Sequence, residues 1–260
     1  MQTSPAAEWS ASGIGVPSQG SQPSRPTLSA GRYANKIIGS LPTDQIVQLE
    51  RYLERMELAQ RDVLYEPDDD LRYVYFPETA VISLINAFSN GGTIEIGTVG
   101  REGMVGLPAF LSGGKAAMRA VAQLPGMVYR LDVRALEQHA KAGSPLHSLL
   151  MRYTQAFLAQ VAQTAACNSA HLVEERCARW LLTTRDRVDG DDFPLTHDFL
   201  AFMLGVRRSG VTVAMRTLKD AGLVRYTRGK VTIVDRQQLQ DVSCECYGVV
   251  STNFDRVAPT

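Results

Sequence analysis

The chain has 260 residues, room for two domains at about 100–200 residues each. Its hydrophobic fraction of 45% and charged fraction of 21% are those of a folded globular protein. No run of about 18 apolar residues is present to span a membrane. Lys and Arg number 27 and so do Asp and Glu, a net charge of zero that taken whole argues against a polyanionic partner. Four cysteines make no disulfide framework. The first thirty residues lack the basic start and apolar block of a secretory signal. Both features lead to the expectation of a cytoplasmic address.

Residues 1–32 are expected to form a disordered tail, because their Ser, Pro and Gly content leaves too little apolar surface to offset the entropy of ordering. Order begins near Tyr33. Leu41-Pro42-Thr43-Asp44 reads as a helix start, and Ile46, Leu49, Leu53 and Met56 follow at spacings of three and four, which predicts a helix through Met56. From Asp62 to Leu131 the texture changes to short runs rich in Val, Ile, Tyr and Phe: Arg72 to Phe76, Ala80 to Phe88, Thr93 to Val99, Ala120 to Gln123 and Met127 to Leu131. Turn residues separate them, and Asn90-Gly91 reads as a hairpin turn. This pattern predicts a β-sandwich or roll over 33–144. Asp68-Asp69-Asp70 lacks the spaced ligands of a calcium loop and reads as a solvated turn.

After Pro145 the apolar positions Leu146, Leu149, Leu150, Tyr153, Phe157 and Val161 predict one helix over 145–171. About 25 helical residues span nearly 40 Å, more than one small domain needs. The helix is therefore expected to pair with a copy of itself through Leu146, Leu150, Tyr153, Phe157 and Val161. The alternative is an ordinary amphipathic core helix. Leu172 to Arg187 reads as a further helix, ended by the loop Asp189-Gly190-Asp191-Asp192.

In the segment 172–236, Thr196 is a candidate N-cap. Phe199, Leu200, Met203 and Leu204 give the next helix its buried face, and Gly205 ends it. A second helix buries Val211, Met215 and Leu218 and leaves Arg207, Arg208, Arg216 and Lys219 outside. Two short strands then flank Thr227-Arg228-Gly229. Helix, Gly-containing turn, helix and hairpin make a winged helix-turn-helix, whose second helix enters the DNA major groove. From Gly205 to Arg236 there are eight basic residues against Asp220 and Asp235, an excess of six positive charges balanced by six negative ones elsewhere. Local basic density of this kind is a footprint of phosphate binding. A winged helix used only for protein contacts is the competing reading.

These segments resemble the Crp/Fnr family of bacterial transcription regulators over nearly everything after residue 35. Leu195 to Leu223 is the most specific stretch, with Tyr75-Phe76-Pro77-Glu78 and Gly100-Arg101-Glu102-Gly103-Met104-Val105-Gly106 in support. The resemblance implies an α+β fold: an N-terminal jelly-roll β-roll similar to a cyclic-nucleotide-binding domain, a long dimerisation helix and a C-terminal winged helix-turn-helix, with 237–260 as a C-terminal helix and tail. It implies a homodimer on a two-fold symmetric double-stranded DNA operator, contacting RNA polymerase if it activates. By position, Arg207, Arg208 and Val213 would read bases. Ser209, Thr212, Arg216, Lys219, Arg228 and Lys230 would meet the backbone. Ser209 and Val213 depart from the acidic residue and the second Arg that the family places there, so the family's usual operator does not carry over.

An effector would lie near Gly103, Met104, Val105, Gly106 and Arg119. Met104 stands where a cyclic-nucleotide sensor has its acid, so cyclic AMP is not expected to bind tightly; a true cyclic-nucleotide sensor is the alternative. No cysteine precedes Cys167, which excludes an N-terminal iron–sulfur set. Cys167 and Cys177 read as small buried hydrophobes. Cys244-Glu245-Cys246 suggests redox or metal chemistry, but only two ligands cluster in sequence, so a structural role in a helix from Gln237 to about Tyr247 is expected and no metal site. No catalytic constellation and no cofactor motif is present, and the chain reads as a non-enzyme.

Overall fold

The computed structural model describes residues 33–89 and 92–258. The tail expected over 1–32 and the Asn90-Gly91 turn lie outside these. Asn35 opens the order: its side-chain oxygen accepts from the backbone of Ile37 and Ile38 and its Nδ2 donates to the carbonyls of Pro77 and Gly103. The first helix it caps, α1 (Lys36–Gly39), is thereby tied to the roll. Helix α2 (Thr43–Glu50) follows, then strand β1 (Leu53–Leu58). The predicted helix through Met56 thus stops six residues early. Leu53 to Leu58 pair antiparallel with Leu131 to Gly126, and that ladder overrides a helical spacing that two apolar residues alone supported.

The roll continues with β2 (Val63–Tyr65), β3 (Tyr73–Pro77), β4 (Val81–Ala87), β5 (Thr93–Val99), α3 (Leu107–Leu111), β6 (Arg119–Leu124), β7 (Gly126–Asp132) and α4 (Val133–His139). Two antiparallel sheets result, ordered β1-β7-β3 and β2-β6-β4-β5. Their buried Val74, Phe76, Ile82, Val128 and Leu131 form one core.

Helix α5 (Pro145–Ala170) starts at Ser144, whose hydroxyl accepts from the His147 backbone. Its apolar face is spent within the chain. Leu146, Leu150, Tyr153 and Phe157 are buried in the roll core, and Val161 packs partly against it. A fully buried side chain of this size contributes about 1.5–3 kcal/mol, so these positions are not free to form the dimer seam expected of them. The outward face instead carries Met151, Gln155, Leu158, Ala162 and Ala165.

The head comprises α6 (Val173–Arg185), β8 (Asp192–Pro194), α7 (His197–Leu204), α8 (Arg208–Asp220), β9 (Val224–Thr227), β10 (Lys230–Ile233) and α9 (Arg236–Asp241). Asp192, expected in a loop, begins a third strand of the sheet β8-β10-β9. The head core of Leu181, Leu200, Val211, Met215 and Val231 is continuous with Val81, Ile85, Val121 and Leu124 of the roll, so head and roll are docked. The single C-terminal helix expected over 237–247 is two. After α9 the chain turns and α10 (Cys246–Asp255) returns along α5, placing Val250, Phe254, Val257 and Ala258 in the roll core.

Candidate nucleic-acid interface

Helix α7 begins where the Thr196 hydroxyl accepts from the Phe199 backbone, and it ends at Gly205, whose φ of 63° is open to glycine at little cost. Three residues later α8 starts. Val211, Ala214, Met215 and Leu218 recur at three and four and are all buried, which turns Arg207, Arg208, Ser209, Thr212, Val213, Arg216 and Lys219 to the outside. All seven positions predicted by the sequence in this helix and its turn share one exposed face. Val213 stands 57% exposed in its middle, an apolar side chain on a polar face.

The face is organised by α7. Asp198 Oδ1 lies 3.1 Å from Arg208 Nε. Thr212 donates to the Arg208 carbonyl, and His197 Nδ1 lies 3.2 Å from the Thr212 hydroxyl. The His197 ring sits 4.7 Å from that of Tyr226. Burial first, and the Arg208 charge second, push His197 below its ordinary pKa, so at neutral pH it is uncharged. Sequence reasoning missed His197, Asp198 and Tyr226, because it treated the first helix only as a scaffold. The one available signal was an acidic residue in the first turn of that helix.

In the wing, Thr227 pairs with Lys230, leaving Arg228 and Gly229 as a two-residue loop with φ of 48° and 79°. Positive φ at both positions is the hairpin geometry that matches strand twist. Arg225 and Arg228 are both exposed. Lys230 forms an ion pair with Asp192, and Arg216 with Asp220 at 3.4 Å. Exposed pairs of this kind are weak. Arg236 belongs elsewhere: it donates to Tyr247 at 2.7 Å and pairs with Asp186.

On the sensor side, Met104 is 1% exposed and Val105 bridges to Tyr75. Gly103 lies under Tyr153, where a Cβ would come within 2.4 Å of the ring. Gly106 holds φ of 103° against Val74. Arg119 pairs with Glu66 at 2.7 Å. The turn is therefore covered by aromatic side chains of the roll and α5. The cysteines give the larger surprise. Cys244 and Cys246 meet Cys167 and His171 in one group, so the expectation that only two ligands cluster fails: α10 folding back on α5 adds the other two.

Comparison with known proteins places a family model described as a Crp-like helix-turn-helix domain on residues 175–242 and one described as a cyclic nucleotide-binding domain on residues 55–142. FixK2 from Bradyrhizobium japonicum is a similar solved structure, at 19% identity and a TM-score of 0.64, covering 74% of this chain and 98% of its own. A CRP-family transcriptional regulator from Thermus thermophilus has 20% identity and a TM-score of 0.59 over 72% of this chain and 96% of its own. The regulator CLP of Xanthomonas campestris, described as responsive to c-di-GMP, has 16% identity and a TM-score of 0.59 over 75% of this chain and 100% of its own. Among curated proteins none matches.

Proposed function

Since the chain belongs to the Crp/FNR family of transcriptional regulators and is a DNA-binding regulator, we propose that it reads a two-fold symmetric operator as a homodimer through the exposed face of α8. One observation carries this reading. The back of α8 is fully buried, while its front gathers Arg207, Arg208, Ser209, Thr212 and Val213 on one surface flanked by the wing. Arg208 reads bases, Arg207 and Val213 beside it. Ser209, Thr212, Arg216, Lys219, Arg228 and Lys230 hold the backbone. The dimer seam is the second stripe of α5, Met151, Gln155, Leu158, Ala162 and Ala165, whose alternating spacing of four and three is that of a coiled-coil seam. RNA polymerase is a partner if the protein activates, and none of the proposed contacts requires an enzymatic step.

The roll is proposed to answer to a signal other than cyclic AMP. Met104 is buried where an acidic ligand residue would stand, and Arg119 is engaged by Glu66. A phosphodiester taken from water without a cationic partner costs several kcal/mol.

The test is selection of bound sites from random DNA, followed by affinity measurements across salt. Binding through about 6–10 phosphates weakens by about 10³–10⁵ between about 50 and 200 mM salt. Arg208→Ala is expected to lose about 1–3 kcal/mol of discrimination at one base pair of each half-site. Lys230→Ala is expected to weaken all sequences alike and to lower the salt slope by about one. Wild-type behaviour in both variants overturns the assignment of the face, and a flat salt response favours a protein-binding role.

A further inference from the structure

We propose that Cys167, His171, Cys244 and Cys246 are the four ligands of one zinc-class divalent ion, which fastens the end of α5 to the segment entering α10. The four ligand atoms lie within 4.8 Å of one another. Cys167 Sγ is 3.5 Å from Cys244 Sγ, and Cys246 Sγ is 3.5 Å from His171 Nδ1. A tetrahedral ion with bonds of about 2.3 Å to sulfur and about 2.0–2.1 Å to nitrogen sets its ligand atoms about 3.5–3.8 Å apart. The group is thus already near the size of a single-ion site. An iron–sulfur cluster, with several metal atoms between its thiolates, would need the sulfurs spread wider.

Two local spacings build it. Cys167 and His171 are four apart at the last turn of α5, where positions i and i+4 share a face. Cys244-x-Cys246 lets one short segment offer both thiols. The three thiols form a buried cluster of their own, outside both apolar cores, so packing does not explain their convergence.

The surroundings are those of ligands. Glu245 Oε2 lies 3.3 Å from His171 Nε2, so Nε2–H donates to the carboxylate and the Nδ1 lone pair is left to bind a metal. Gln163 Nε2 donates to Cys246 Sγ at 3.0 Å. Three thiolates and one imidazole with no open position match a closed structural zinc site rather than a catalytic one.

The site lies at the α5–α6 junction, since His171 caps α5 and Leu172 caps α6. Its existence is independent of DNA. Its consequence, that loading the ion fixes how the head is attached, rests on the reading of the head given above.

The experiment is titration of the reduced, metal-free full-length protein with cobalt(II). One equivalent per chain is expected to bind, with tetrahedral ligand-field bands and thiolate-to-cobalt charge transfer, and zinc(II) is expected to displace it. Cys167→Ser and Cys246→Ser should each remove charge-transfer intensity and weaken binding. Cys177→Ala, at a thiol outside the group, should titrate as wild type. Glu245→Gln, at an exposed side chain that leaves the fold intact, should keep the spectrum and lower affinity about 10–100-fold. Absence of stoichiometric binding by the reduced chain overturns the proposal, as does unchanged binding by Cys246→Ser. A Cys167–Cys244 disulfide in oxidised protein, together with no cobalt uptake after reduction, assigns the group to dithiol chemistry instead. DNA affinity is read separately on metal-free and loaded protein. Stoichiometric metal with no DNA binding in either state upholds the site and overturns the DNA-face assignment.

Discussion

Glu95 is the most informative single residue outside the head. It is buried where β5 meets α6, accepts from Trp180 Nε1 at 3.2 Å and lies 2.5 Å from the Ser83 hydroxyl. Ser83 is also 2.9 Å from Gln123 Oε1, and Gln123 Nε2 donates to Thr184. Ser83 has one proton and faces two acceptors, and a protonated Glu95 donating to Ser83 satisfies both contacts. Burial pushes its pKa up, in the same direction. A carboxyl held above its unfolded value favours the folded state below the ordinary carboxyl range, and that contribution is lost as pH rises through the folded value. Urea midpoints of the wild type should therefore carry a falling component with rising pH. Glu95→Gln, whose amide donates as the acid does, should lack that component and gain on the wild type as pH increases. A constant difference between the two proteins across pH would show that Glu95 is ionised in the fold.

Among the elements, α5 best separates what a sequence displays from what it conceals. Its length, start and end were legible: Ser144-Pro145 opens it and it runs to Ala170, one residue short of the predicted end. Which face met what was not legible, because burial against the roll and against a second helix both select apolar residues at three and four. Two substitutions one position apart divide the roles. Phe157→Ala should destabilise the protomer by about 3–5 kcal/mol, read from denaturant unfolding at fixed concentration. Leu158→Lys, at a side chain 66% exposed, should leave that stability nearly unchanged and shift the sedimentation profile toward monomer. A Leu158→Lys protein that stays dimeric would move the seam elsewhere. The head's helices and wing were legible, since caps, Gly205 and the wing loop are local signals, whereas β8 and the places of His197, Asp198 and Tyr226 were not. Strand β1 was not, because no Gly or Pro separates it from α2 and its partner Leu131 is 78 positions from Leu53. The cysteine cluster was hidden for the same reason: Cys167 and Cys244 are 77 residues apart in sequence.

For the whole molecule, head and roll are bolted together by Arg187. Its Nε donates to Glu102 at 2.8 Å, Nη1 to the Thr183 carbonyl, and Nη2 reaches the Thr98 carbonyl and Gln160. Both members of the pair are under 10% exposed. Gly100 is what admits it, since a Cβ there would sit 2.6 Å from Arg187 Cγ. Removing one partner of a buried pair costs about 3–5 kcal/mol because the other charge is stranded. Arg187→Met should lower the melting temperature sharply, and adding Glu102→Leu should recover part of the loss. No recovery in the double variant would mean that the backbone contacts of Arg187, rather than its charge, hold the junction.

The return of α10 to the roll has a topological meaning. The chain leaves the sensor body after His171 and re-enters it at Cys246, and those two points touch, with Cys246 Sγ 3.5 Å from His171 Nδ1. The head is therefore an insert with adjoining ends, joined to the roll there and docked against it through Val81, Ile85, Val121 and Leu124. Domains with neighbouring termini tolerate transplantation, so a foreign winged helix spliced at this point should be accepted where it keeps an apolar face for Val81, Ile85, Val121 and Leu124 and an arginine for Glu102.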